Sequence, residues 1–237
     1  MKAMIFAAGR GERMRPLTDV TPKPLLAVAG KPIIVWQIEA LARAGFTDIV
    51  INHAWLGAQI EAALGDGSAF GVRLAYSAEA EALETAGGIV QARARLEGAG
   101  NVFLAVSGDV FTAFDYASLR RPAVRMATQS EPGMHLVMVP NPPFHPKGDF
   151  SLDAAGHLHL PGNAPADASP LTFGNIALYD LRLFDGIAPG TRMALTPLYQ
   201  RAIAAGRVTG ERFDGIWENV GTPAQLAALD TEVRARQ

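Results

Sequence analysis

An α/β fold, built on a mixed but mostly parallel sheet doubly wound with helices on both faces, is what this sequence predicts. Three observations carry the prediction. Short, wholly apolar runs around Met4, Val50 and Leu104 are too short to cross a membrane and read as strands buried on both faces. Between them, apolar residues recur at helical spacing, as at Ile34, Ile38 and Leu41. A glycine-bearing turn, AAGRGER, leaves the first of these runs, where open parallel sheets place their ligands.

The elements follow in order. Lys2–Ala7 is a first strand. GKPIIVWQIEALARAG is a helix with Pro32 near its start, where a missing N–H costs nothing, and Gly45 as its stop. Asp48–Asn52 is a second buried strand, AQIEAAL a short helix and VRLAYS a third strand. A helix is expected from about Gly88 to Leu96, then the strand VFLAVSGD ending at Asp109. From Met134 the pattern changes: MHLVMV is a strand, FSLDAAGHLHL a hairpin around Gly156, and LTFGNIALY another strand. Helices near Leu195–Ala205 and Pro223–Ala235 complete the chain. The proline-rich stretches NPPFHPKGD and PGNAPADASP read as loops rather than linkers, so residues 1–237 are expected to form one domain.

Composition narrows the function classes. With 49% apolar and 19% charged residues among 237, the chain has ample material for a core and does not resemble a disordered segment. Its net charge of −2 gives no global field for nucleic acid or an anionic membrane, so any anion site must be local. The chain has no cysteine, which excludes disulfides, zinc–thiolate centres and a thiol nucleophile. The first apolar run is too short for a secretory leader. A cytoplasmic protein is expected, a monomer or small homo-oligomer, with small molecules rather than nucleic acid or membrane as partners.

The stretch from Ala7 to Leu26 concentrates cations: Arg13 and Arg15 lie close behind Gly9 and Gly11, and Lys23 is held between Pro22 and Pro24. Prolines on both sides stiffen the backbone and direct the lysine. Glycines behind a strand with cations beside them point to a phosphate cradle. Neither common version fits. The P-loop lysine and hydroxyl are missing after Gly11, and Met14 stands where a dinucleotide fingerprint needs its third glycine. At the end of the apolar run VFLAVSG, Asp109 is either a cap for the following helix or a residue facing ligand, since open α/β sheets place ligands at the carboxyl ends of buried strands.

GRGERMRPLTDVTPKP resembles, without a gap, the opening motif of the sugar-1-phosphate nucleotidyltransferases, G-x-G-x-R-M-x-P-L-T-x-x-x-P-K-P. LETAGGI (Leu83–Ile89), SGDVF (Ser107–Phe111) and ENVGTP (Glu218–Pro223) continue the resemblance in the expected order over essentially the whole chain. INHAWLG, GDF at Gly148–Phe150 and the short length are most similar to the branch that takes N-acetylmuramate-1-phosphate and UTP in cell-wall recycling. Mannose- or glucose-1-phosphate guanylyl- and thymidylyltransferases, and a catalytically impaired nucleotide-binding paralogue, remain as alternatives. The resemblance implies a Rossmann-like fold of the nucleotide-diphospho-sugar transferase type, with Mg²⁺ as cofactor. It also implies a reaction in which a sugar-1-phosphate oxygen attacks the α-phosphorus of a nucleoside triphosphate and pyrophosphate leaves.

Residue by residue, the resemblance implies a nucleotide site of Ala8, Gly9, Gly11, Glu12, Arg13, Lys23, Thr85, Gly87 and Gly88, the last three beside the nucleobase. It implies Arg13, Lys23 and Asp109 as catalytic residues, Ser107 with Asp149 and Asn175 for the sugar, and Asp109 with Asn219 for the metal. Glu79, Glu81 and Glu84 are expected to form a solvated acidic loop, His53 and Trp55 could equally be packing residues, and His135, His145, His157 and His159 show no metal-ligand spacing. The sequence departs from the family twice. HLHLPGNAPADAS lacks the lysine that holds the sugar phosphate in mannose- and glucose-type members, leaving Arg192 and Lys147 as candidates. Asn219 stands where the family normally has the second metal-binding Asp. Glu218 cannot replace it, because neighbouring residues in a strand point to opposite faces. No further enzyme segment follows, so a bifunctional enzyme is not expected.

Overall fold

The computed structural model describes residues 1–98 and 100–236. In chain order the elements are β1 (Ala3–Phe6), α1 (Leu17–Val20), β2 (Ala27–Val28), β3 (Lys31–Pro32), α2 (Ile33–Arg43), β4 (Asp48–His53), α3 (Gly57–Leu64), β5 (Arg73–Ala78) and α4 (Glu84–Leu96). They continue as β6 (Val102–Ser107), β7 (Val110–Thr112), α5 (Arg120–Ala127), β8 (Met134–Val139), β9 (Phe150–Leu152), β10 (Leu158–His159), β11 (Ser169–Asp180), α6 (Thr196–Ala204), β12 (Val208–Arg212), β13 (Trp217–Asn219) and α7 (Pro223–Ala235).

Across the main sheet the order is β12-β8-β11-β6-β1-β4-β5, and every strand but β11 points the same way. The wholly apolar strands sit in the middle, as their sequences require. The two faces carry separate cores: α2, α3 and α5 pack Ile38, Leu41, Ile60 and Met126 on one side, while α4 and α6 pack Ile89, Leu96, Leu198 and Ile203 on the other. This is the doubly wound α/β arrangement. The β9–β10 hairpin around Gly156 branches from the first residues of β11.

Three differences from the sequence reading have physical causes. α4 begins at Glu84 rather than near Gly88, because the N–H groups of Ala86 and Gly87 donate to the carbonyl of Met193 and cap the helix from outside. α5 and β12 are not marked by the sequence pattern: α5 carries arginines and Pro122 in a short run, and β12 holds Gly210 and two charged residues. The turn after β1 leads into a single 3-10 turn (Glu12–Met14) and the four-residue α1, not into a long phosphate-facing helix. β1, β4 and β6 all end at one edge of the sheet, so Ala7, His53 and Ser107 emerge together, and the cleft forms there.

Candidate active site

The turn behind β1 is held open by its own bonds. Gly11 adopts a left-handed conformation (φ 68°), and a Cβ there would approach the Thr18 methyl to 3.0 Å and Lys23 Cβ to 3.2 Å. Thr18 Oγ1 donates to the Gly11 carbonyl at 2.8 Å and closes the loop. At Gly9, in contrast, a Cβ would meet nothing within 4 Å, so its backbone faces open space. Pro22 and Pro24 flank Lys23 as the sequence suggested, and the ammonium makes an ion pair with Asp109, both side chains largely shielded (12% and 23% exposed). Ser107 Oγ donates to the other Asp109 oxygen at 2.6 Å. Gly108 makes this strand end possible, since a Cβ there would press on the Phe6 carbonyl at 3.0 Å.

The remaining cations of the loop divide. Arg15 makes an exposed ion pair with Asp19 at 2.8 Å, and that hydrogen bond does most to hold the Asp19 carboxyl below its usual range. Arg10, which sequence reasoning did not single out, donates to the Thr18 carbonyl and lies 3.7 Å from the centre of the Trp55 ring. Arg13 has no ion-pair partner among the described residues. Its guanidinium lies where a Cβ on Gly221 would come within 3.4 Å, so the glycine of ENVGTP makes room for the arginine of the first motif. Thr222 caps α7 by accepting from the Gln225 N–H, while Gln225 Oε1 accepts from the Gly221 N–H at 2.9 Å.

Three adjoining cavities form the cleft. The first, about 300 Å³, is lined by Ala8, Gly9, Lys23, Asn52, Thr85, Ser107 and Asp109. A smaller one, about 190 Å³, shares Thr85 and Ser107 with it and adds Asn175 and Tyr199. A wider one, about 510 Å³, carries on from Asn175 and Tyr199 to His145, Asp149, Trp217 and Asn219. Burial pushes the Tyr199 and Tyr179 phenols well above their ordinary value, and their hydroxyls meet at 2.5 Å beneath the cleft. Asn175 sits at φ 56°, where β11 slips register against β8, a strained bulge that presents a polar residue to two cavities.

Other expected residues land in less direct places. Gly87 and Gly88 are buried in the first turn of α4 and line none of these three cavities. A Cβ on Gly87 would meet the Thr191 carbonyl at 2.2 Å, and one on Gly88 would meet Asn52 Nδ2 at 2.7 Å, so their smallness serves helix packing. Thr85 Oγ1 accepts from the Leu195 N–H at 3.1 Å. Glu12 is exposed in its 3-10 turn. Asp149 already has a donor on each oxygen, His145 at 3.1 Å and the Phe173 N–H at 2.8 Å. Arg192 pairs with Glu84 on the surface, and neither it nor Lys147 lines the cleft.

Sequence reasoning missed Asn52 and misread Glu79. Asn52 Oδ1 accepts from the Ala7 N–H at 3.1 Å, and its amide donates to Glu79 at 2.7 Å. Glu79 is therefore buried, not solvated, and its second oxygen takes the Leu83 N–H. The available signal was an Asn ending a buried apolar strand, the same signal that marked Asp109.

For a divalent cation the donor set is sparse. No group of three or more His, Asp or Glu side chains with metal-binding placement occurs among the described residues. Asn219 pairs with Val110, the residue after Asp109, and the Val220 N–H donates to the Asp109 carbonyl at 3.1 Å, so the backbone brings the two segments together. Asn219 Oδ1 is buried with no hydrogen-bond partner among the described residues, an acceptor that lacks its donor or cation. One carboxylate, one orphaned amide oxygen and incoming phosphate oxygens fit Mg²⁺. Glu218 turns outward into an exposed position, as strand alternation required.

The family model described as "Nucleotidyl transferase" matches residues 2–145 of this geometry. The chain belongs to that family. N-acetylmuramate alpha-1-phosphate uridylyltransferase of Neisseria meningitidis serogroup B is 51% identical over 229 residues, covering 95% of each chain. The protein of that name from Caulobacter vibrioides is 35% identical, over 95% of this nucleotidyltransferase and 94% of its own length. A solved structure assigned as a glucose-1-phosphate thymidylyltransferase of Bacillus anthracis, in complex with sucrose, shares the fold with a TM-score of 0.80 at 22% identity, covering 99% of this chain and 95% of that one. No described helix is long and apolar enough to cross a membrane.

Proposed function

We propose that this nucleotidyltransferase moves a uridylyl group from UTP to N-acetylmuramate-1-phosphate, yielding UDP-N-acetylmuramate and pyrophosphate. The observation that carries the reading is a continuous cleft: a phosphate-type loop lines one end, room for a sugar lies at the other, and Ser107, bonded to Asp109, lies between. The two full-length relatives of that name narrow the substrates. The stretch from His157 to Ser169, without a lysine, favours them over mannose- and glucose-type sugars. A nucleoside triphosphate substrate places the work in the cytoplasm, returning a cell-wall sugar to the nucleotide-sugar pool.

In this mechanism a sugar phosphate oxygen forms a bond to the α-phosphorus of UTP as the bond to the β-phosphate bridge oxygen breaks, and both electrons of that bond leave with pyrophosphate. The protein positions and neutralises rather than reacting covalently. The backbone at Gly9 and Gly11 accepts the triphosphate at close range. Arg13, without an ion-pair partner, meets the departing pyrophosphate. Lys23 shares its charge between Asp109 and the α-phosphate, a compact cation fixed before the reaction begins. Asp109, the Asn219 amide oxygen and the phosphates would hold Mg²⁺, which supplies further neutralisation of the α-phosphate. Asn175 and Asp149 bound the sugar's end of the cleft.

The test is a matrix of pyrophosphate-release rates, four nucleoside triphosphates against several sugar-1-phosphates with Mg²⁺. UTP with N-acetylmuramate-1-phosphate should be fastest. Faster turnover of GTP with mannose-1-phosphate overturns the assignment, and nucleotide binding without any pyrophosphate release identifies an impaired paralogue.

A further inference from the structure

The loop from Asn141 to Asp149 is more tightly built than a connection needs to be. Asn141 donates to the carbonyls of Pro146 and Pro170, both at 3.2 Å, and accepts from Thr172 Oγ1 at 2.9 Å. The Asp149 N–H donates to the Leu171 carbonyl, and Asp149 Oδ2 accepts from the Phe173 N–H, each at 2.8 Å. Gly148 lies at φ 67°, and a Cβ there would collide with the Leu171 carbonyl at 2.6 Å and Asn141 Oδ1 at 2.7 Å. Asn141 and Asp149 are thus fastened to four consecutive residues of β11, Pro170 to Phe173, with Gly148 pressed against the same strand, and what this fastening delivers is His145. Its Nε2 meets Asp149 Oδ1 at 3.1 Å, and its imidazole lines the 510 Å³ cavity with Phe144 beside it. Among the described residues lining that cavity, His145 is the one basic side chain, and its Nδ1 has no hydrogen-bond partner there.

N-acetylmuramate differs from N-acetylglucosamine by a lactyl ether that ends in a carboxylate. We propose that His145, aimed by Asp149 and the stapled loop, recognises this carboxylate as an imidazolium, its Nε2–H donating to Asp149 and its Nδ1–H to the carboxylate, and selects the acidic sugar. The inference rests on the function proposed above. It gives Asp149 a different task from the one expected of it: both its oxygens are engaged, so it orients the imidazole rather than accepting from sugar hydroxyls. Lys147 lies on the same loop but outside the cavity lining, and Arg192 is paired with Glu84. A contact to the lactyl group made equally before and during transfer is uniform binding and is read in KM with kcat unchanged.

The experiment compares N-acetylmuramate-1-phosphate with its lactyl carboxamide, UTP saturating, in the parent, His145→Ala and His145→Gln. The parent should show a KM about tenfold lower for the carboxylate, the scale of one hydrogen bond to a charged group. His145→Ala should bring the two KM values together, and His145→Gln, which keeps a donor, should retain part of the difference. UTP affinity, measured by calorimetry, reports that each variant is folded. Equal KM values in the parent, or an undiminished preference in folded His145→Ala, overturn the inference while the function stands. If N-acetylmuramate-1-phosphate is not turned over but another sugar phosphate is, the function fails and the inference with it.

Discussion

The two ends of the cleft are built on opposite plans. The nucleotide end takes its glycines, prolines and cations from one contiguous stretch behind β1, Ala7 to Pro24, with Asn52, Thr85, Ser107 and Asp109 closing the wall. The sugar end is assembled from His145, Asp149, Asn175, Tyr199, Trp217 and Asn219, which come from four separate segments: the loop before β9, β11 itself, α6 and β13. A loop can place charge by its own covalent geometry. An assembled wall depends on a register slip at Asn175 and on long-range bonds such as that from Trp217 to the Gly174 carbonyl at 2.8 Å. The first plan suits the part of the substrate that every reaction of this kind shares, and the second suits the part that varies.

The largest effects should come from the charges near the junction of the two ends. Lys23→Ala and Asp109→Ala should each lower kcat by roughly 10²-fold or more, the scale of one preorganised charge at a transition state. Near-parental kcat in either folded variant would place the chemistry elsewhere. Two glycines sharpen the contrast between cradle and scaffold. Gly87→Ala, which drives a methyl into the Thr191 carbonyl, should cost about 1–3 kcal/mol in denaturant unfolding. Gly9→Ala, with open space around it, should leave stability alone and raise the KM for UTP; equal destabilisation by both would erase the distinction. Smaller still is Asn219→Asp, which adds a charge to the orphaned acceptor. It should reduce the Mg²⁺ concentration for half-maximal activity about tenfold, or ~1.4 kcal/mol. An unchanged Mg²⁺ titration would remove Asn219 from the metal.

What could be read from the sequence follows the same division. The strands of the sheet's middle were legible because they are buried on both faces and so are apolar throughout, and α2 and α7 because Pro32 and Pro223 sit at their starts. Lys23 and Asp109 were legible because a proline bracket and a strand end are local signals. Glu79 was not, since nothing in an acidic run reveals which carboxylate Asn52 and the Leu83 N–H will draw inside. Gly87 and Gly88 were placed beside a base because small residues permit close approach, but what approaches them, Thr191 to Met193 at Gly87 and the Asn52 and Glu79 side chains at Gly88, is mostly distant in sequence. His145 was one of four histidines read as lacking ligand spacing, and only the stapled loop distinguishes it.

Both ends of the cleft must be filled at once if the sugar phosphate attacks the nucleotide directly. Exchange of labelled pyrophosphate into UTP, measured with and without N-acetylmuramate-1-phosphate or UDP-N-acetylmuramate, tests this most directly. The account predicts no exchange with UTP and pyrophosphate alone, and exchange once the sugar component is present. Exchange without any sugar would reveal a uridylyl group carried on the protein and contradict the direct transfer that the cleft was read to perform.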